Sequence, residues 1–117
     1  MHELSMARDI LEIIRGHVPP GSAVESVRVQ VGELAGILPE NLHFCFTSLV
    51  ADTPFKGVRL EITPVPVRGC CNRCGETSTM SVTEIICPSC KSPDVAVVGG
   101  RELQVSEIVL EHVKGIP

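Results

Sequence analysis

Two cysteine pairs, Cys71-Asn72-Arg73-Cys74 and Cys87-Pro88-Ser89-Cys90, stand twelve residues apart in a chain of 117. No other feature constrains the fold as strongly. A two-residue spacer lets both thiolates of a pair meet one ion, while N–H groups of the turn donate to the sulfurs. Two such hairpins supply four thiolates in a tetrahedron, the geometry zinc takes at about 2.3 Å per bond, and no open position is left for catalysis. Gly75 follows the first pair, where a tight knuckle calls for positive φ. A redox site would need only one pair. An iron centre in a rubredoxin-like knuckle would be poorly shielded in a chain without Trp or Tyr. The spacing therefore predicts structural zinc on Cys71, Cys74, Cys87 and Cys90. Cys70 offers a competing thiol, but its three-residue spacer to Cys74 suits a knuckle less well, and it reads as a spare. Cys45 reads as a small core residue.

The metal reading depends on reduced thiols. The opening MHELSMARDI has neither a basic n-region nor a cleavable apolar stretch. No apolar run approaches the roughly 18 residues of a membrane span. A cytoplasmic location is expected, where thiols stay reduced.

Before the cysteines the chain alternates helix and strand. Leu4, Ala7, Leu11, Ile14 and Val18 recur at three- and four-residue steps, widened by Ile10 and Ile13, which predicts a helix with one buried face. Pro19, Pro20 and Gly21 end it. Val27, Val29 and Val31 alternate with Arg28 and Gln30 as a half-buried strand. After a turn between Gly32 and Gly36, Pro39 and Glu40 open a second helix with Leu42, Cys45, Phe46 and Leu49 inward. Val58, Leu60 and Ile62 mark a second strand, and PVPVRG reads as a stiff exit. The polar stretch that follows holds five of the six cysteines. VAVVGG and RELQVSEIVLEHV read as closing strands, the latter with a phase slip between Val105 and Ile108 that suggests a bulge or two short strands. Its residues Leu103, Val105, Ile108 and Leu110 need burial, best supplied by the first sheet. The expectation is an α+β fold: a small mixed sheet with two helices, formed by residues 1–66 and 100–117, with a zinc-ribbon-like module inserted at 67–99.

Composition narrows the function. A net charge of −4 and 3% aromatic residues argue against a nucleic-acid binder, which carries a basic face or stacking platforms. GELAG lacks the GxGxxG spacing, and no P-loop or nucleophile–base pair stands out, so no enzyme is expected. The start is more informative. The Met1 α-amine and the His2 backbone nitrogen close a five-membered chelate, and the His2 amide and imidazole close a six-membered one. A fourth donor could be the Glu3 backbone nitrogen, its carboxylate, or a side chain from elsewhere. Such tetragonal nitrogen sets favour Ni(II) or Cu(II) over zinc. On MHE alone, a solvated terminal histidine is the simpler reading.

Taken in order, MHELSMARDI, VRVQVGEL and CNRCG…CPSC before a short terminal strand resemble the HypA/HybF family of hydrogenase nickel-incorporation proteins over essentially the whole chain. The resemblance implies a metallochaperone with a nickel-binding α/β domain and an inserted zinc domain. It implies Ni(II) as transferred cargo at Met1 and His2, with Glu3 adjoining, and structural Zn(II) on Cys71, Cys74, Cys87 and Cys90. It implies the nickel-handling GTPase HypB and the NiFe-hydrogenase large subunit as partners. It also draws attention to Glu40, an acidic residue near the start of the second helix, and to His43 one turn on, which otherwise reads as a surface histidine. Neither nucleic acid nor membrane is expected as a partner, and the protein is expected as a monomer or weak homodimer through an exposed edge strand. The competing readings are a zinc-ribbon adaptor for nucleic acid or protein and a rubredoxin-like electron carrier.

Overall fold

The computed structural model describes residues 3–111 of the chain. The elements follow in the order α1 (Glu3–His17), β1 (Val24–Gly32), α2 (Pro39–Val50), β2 (Arg59–Val65), β3 (Val67–Cys71), β4 (Thr77–Met80), β5 (Val95–Gly99) and β6 (Leu103–Leu110). The fold is α+β, with two three-stranded sheets ordered β2-β1-β6 and β4-β3-β5. No described helix is long and apolar enough to cross a membrane. The chain divides into one compact unit of Met1–Val29, Ile37–Ile62 and Val105–Pro117, and a second of Gln30–Gly36 and Thr63–Gln104.

In the first unit, α1 buries Met6, Ala7, Ile10, Leu11 and Ile14. Met6, Ile10 and Ile14 follow four-residue steps, so Met6 takes a buried place that the predicted stripe left out, while Leu4 stays exposed. The helix closes with Val18 N–H on the Ile14 carbonyl, and Ser22 N–H bonds Pro19 across the proline turn. In α2, Pro39 stands in the first turn, where a missing N–H costs nothing. Leu42, Phe46 and Val50 are buried there, and α2 packs against α1. Cys45 is half-buried.

β1 is the middle strand of the first sheet, with Val27, Val29 and Val31 buried and Arg28 exposed. Arg59 reaches Glu25, Arg28 reaches Glu61, and Glu33 N–H bonds the Val65 carbonyl. These pairings advance along both strands together, so β2 runs parallel to β1, as a strand–helix–strand crossover requires. β6 runs antiparallel to β1: Gly32 N–H meets the Glu102 carbonyl at one end and Glu111 N–H meets Ala23 at the other. The sheet is therefore mixed, and the last strand returns to the first sheet as expected.

Three readings change. PVPVRG, read as a stiff exit, is itself strand for most of its length: Pro64 and Val65 still belong to β2 and Val67–Gly69 to β3, with Pro66 alone between them. Pro64 is tolerated because β2 is an edge strand. β6 is one unbroken strand. Equal numbers of residues separate its two end pairings on both strands, so neither carries a net insertion. Ser106 and Glu107 are both exposed, and β1 breaks its own alternation at Ser26 and Val27, both buried. The phase slip is shared by two paired strands instead of being absorbed in one bulge. Burial of β6 is only partial, and Leu110 is exposed.

In the second unit β3 is the central strand, antiparallel to both β4 and β5. β4 is a strand the sequence did not suggest, because TSTM has no apolar alternation. Gly32 and Gly100 approach each other here: Leu34 N–H bonds the Gly100 carbonyl, and a Cβ on Gly32 would collide with that same carbonyl.

The two phenylalanines of α2, two residues apart, give a direct check on this packing. Phe46 is 1% exposed and Phe44 is 73% exposed. Phe46→Ala should cost about 3–5 kcal/mol in chemical denaturation, whereas Phe44→Ala should stay within about 0.5 kcal/mol of the parent protein.

Candidate metal centre

β3 delivers the first thiol. Successive side chains of a strand point to opposite faces, so Cys70 and Cys71 cannot both reach one ion. Cys71 is buried, and its Sγ accepts from the N–H groups of Arg73 and Cys74, each at 3.4 Å. Cys70 instead sets its Sγ 3.9 Å from the Gly75 carbonyl.

The two knuckles repeat one backbone pattern. Gly75 N–H bonds the Cys71 carbonyl and Lys91 N–H bonds the Cys87 carbonyl, both at 2.9 Å. Cys71 N–H bonds the Glu76 carbonyl and Cys87 N–H bonds Ser92, again at 2.9 Å. Gly75 has φ +79° and Lys91 has φ +63°. The second knuckle thus holds a lysine where the first uses glycine, a place no residue type marks in advance. Further bonds lock the turns together. The Asn72 amide donates to Asp94 at 2.9 Å, Ser89 donates to Glu76, and buried Ser92 accepts from Asp94 N–H at 3.1 Å.

The four sulfurs of Cys71, Cys74, Cys87 and Cys90 all lie within 4.8 Å of one another. Two contacts link the knuckles: Cys71 to Cys90 at 3.5 Å and Cys74 to Cys87 at 3.6 Å. Zinc–sulfur bonds of 2.3 Å in a tetrahedron would set sulfurs about 3.8 Å apart. The donor set and spacing fit a tetrahedral thiolate site.

Their acidities diverge. Hydrogen bonding from Cys74 N–H, helped by Arg73 N–H and the Cys90 and Cys74 thiols, holds Cys71 down to about 6 against the effect of burial. On Cys74 the largest single influence, the Glu76 N–H, lowers the value. The Cys87 sulfur, burial and the Cys71 and Cys90 sulfurs outweigh it and push Cys74 up to about 12. Cys90 also rises: the Ser92 N–H lowers it, but the Cys71 sulfur, burial and the Cys87 sulfur prevail. One thiolate forms readily, and its neighbours then resist ionising unless a cation joins them.

Of the residues singled out at the start of the chain, Met1 and His2 lie outside the described residues. Glu3 opens α1, and its carboxylate accepts from Leu38 N–H at 3.3 Å. Glu40 and His43 are exposed on α2. Among the described residues, only the four cysteines group as a metal-ligand cluster.

The family model described as hydrogenase/urease nickel incorporation metallochaperone, HypA, matches residues 1–110. A hydrogenase maturation factor HypA from Desulfosudis oleivorans is 36% identical over 115 residues, covering 96% of this chain and 100% of that protein. Its counterpart from Geobacter sulfurreducens is 37% identical over 111 residues, covering 95% of this chain and all of that protein. The solution structure of the nickel metallochaperone HypA from Helicobacter pylori aligns with a TM-score of 0.65 at 21% identity, over 94% of this chain and 97% of that one, and shares the fold. With a family match across both helices and both cysteine pairs, the chain belongs to the HypA family of nickel-incorporation metallochaperones, which are maturation factors and not enzymes.

Proposed function

We propose that this protein takes Ni(II) at its amino terminus and delivers it for NiFe-hydrogenase maturation, while Cys71, Cys74, Cys87 and Cys90 hold a structural zinc. The observation that carries the reading is the convergence of four thiols at tetrahedral spacing in a chain matched over residues 1–110 by a nickel-incorporation family. Four thiolates fill a tetrahedral site. A cargo ion then needs other donors, and the amine, amide and imidazole nitrogens of Met1 and His2, with Glu3 adjoining, are the set that suits nickel. A chain terminus also suits transfer, because peeling back a few residues opens the site.

In this reading residues 67–99 form the zinc-binding domain, and residues 1–66 and 100–117 form the nickel-binding domain. The partners are the GTPase HypB and the hydrogenase large subunit, and the protein works in the cytoplasm as a monomer or weak homodimer. Its relatives' description as hydrogenase maturation factors supports the hydrogenase as recipient.

A nickel titration of the zinc-loaded protein with its native amino terminus tests the terminal site. Native mass spectrometry should count one nickel beyond the zinc. His2→Ala and a variant with one glycine inserted after Met1 should both lose it. Equal nickel binding by all three would move the ion elsewhere. Nickel affinity should also fall as pH drops below about 6.5, where imidazole protonates.

The zinc site has its own signature. At neutral pH the metal-free protein keeps Cys74 protonated, with its acidity near 12, and Cys90 is likewise raised. Zinc must displace those protons, so affinity should rise with pH and loading should release protons. Calorimetry in buffers of different ionisation enthalpy reads this directly. Cys87→Ser should lose zinc and the protection of amides in β3, β4 and β5, while α1 and α2 keep theirs.

A further inference from the structure

We infer that the cavity at the carboxyl end of α1 is a binding site for a small organic acid that joins an aromatic ring to a carboxylate. The site lies wholly in the first unit, and the inference does not rest on either metal.

The cavity, of about 560 Å³, is lined by two connections, the one from α1 to β1 and the one from α2 to β2. Cavities that take small organic ligands run from about 300 to 1,000 Å³ and are mostly apolar, with a few placed polar groups. This one fits that description. Val18, Pro19 and Pro20 come from the first connection, Pro54 and Phe55 from the second, and Arg15 is the single charged residue in the lining.

The lining is set before any ligand arrives. Pyrrolidine rings fix φ at Pro19, Pro20 and Pro54. Ser22 N–H closes the first turn on the Pro19 carbonyl at 3.1 Å. In the second, the Thr53 hydroxyl donates to the Val50 carbonyl at 2.7 Å and accepts from Phe55 N–H at 3.1 Å. Val58 N–H then bonds the Phe55 carbonyl at 3.1 Å. Walls fixed in advance spare a ligand part of the ordering cost that weakens association. The Phe55 ring also gains more from a second ring than from the same area of aliphatic surface.

Arg15 supplies the sign. It stands in the last turn of α1 with His17, where a cation complements the helix dipole. His17 is engaged with the helix itself, its Nδ1–H donating to the Ile13 carbonyl at 2.9 Å. Arg15 is exposed, and among the described residues it joins none of the ion pairs, which belong to Arg28 and Arg59. A guanidinium fork matches the two oxygens of a carboxylate, and no acidic residue lines the cavity to compete for it. Apolar walls with one aromatic ring select an aromatic body, and the unpaired fork selects an anion over an amine.

Hydrocinnamate, added to the full-length zinc-loaded protein at neutral pH, is the probe. Amide NMR should show saturable shifts at Arg15, Ser22 and Phe55 and none at the two cysteine knuckles. The neutral analogue hydrocinnamamide should bind about tenfold more weakly, the part supplied by a charged hydrogen-bonded pair. Arg15→Gln should weaken hydrocinnamate by about the same factor and leave the rest of the spectrum unchanged, because the position is exposed. Arg15→Glu should lose hydrocinnamate and take phenylpropylamine instead. Phe55→Leu, which keeps apolar bulk without the ring, should weaken hydrocinnamate severalfold and leave hexanoate unchanged. Hydrocinnamamide binding as tightly as the acid, or Arg15→Gln binding like the parent, overturns the carboxylate reading. A parent protein with no saturable shift at millimolar probe overturns the site. Shifts at these residues that follow protein concentration instead of probe assign the cavity to a second copy of the chain and overturn it too.

Discussion

Four thiols cannot gather within 4.8 Å and all ionise in the absence of a positive charge between them. That constraint governs the second unit. Its buried apolar side chains are few, and two of them, Cys71 and Cys87, belong to the cluster itself; Val31, Val67 and Met80 supply the rest. So little apolar surface cannot hold a sheet of short strands by burial alone. A divalent ion bound by all four sulfurs would act as the missing core, and its binding energy would become folding energy. The hydrogen bonds around the knuckles make sense in those terms. They orient N–H groups at sulfur, satisfy the turns, and leave one thiol acidic enough to make first contact with the ion.

The proposed division between two ions follows from donor chemistry. Four sulfurs on turns locked by reciprocal backbone bonds form a closed, stiff cage that suits a resident ion. The proposed nickel donors are instead nitrogens of Met1 and His2 near the start of the chain, a set suited to an ion that is passed on. The Glu3 carboxylate accepts from Leu38 N–H at 3.3 Å and so links the first turn of α1 to the start of α2. A carrier needs both: enough order to select its cargo and a bond weak enough to break on release.

Much of this was legible in the sequence because the signals were local. The apolar steps of α1, the proline opening α2, the valine alternation of β1 and the paired CxxC spacing each depend on neighbours a few residues away. What escaped depended on distant partners. TSTM becomes a strand because β3 offers it hydrogen bonds, not because of any apolar rhythm. PVPVRG read as a stiff exit because of its two prolines, yet an edge position lets Pro64 stay within a strand. The slip in β6 was visible, but not that β1 slips beside it. Lys91 at positive φ copies Gly75 through its place in the knuckle, which no residue type announces. The bond between Glu3 and Leu38 joins positions 35 residues apart with no pattern between them.

The first sheet has two unlike edges. β2 carries Pro64, which brings no N–H for another strand, whereas β6 has no proline from Leu103 to Leu110. Strand addition is therefore disfavoured at the β2 edge. A sheet open on both edges can propagate without limit, but a sheet open on one edge can gain only one neighbour. If that neighbour is the same edge of another copy, related by a twofold axis, the open edge is used up on both molecules and the assembly stops at two. Pro64 on β2 thus works against open-ended growth from that edge.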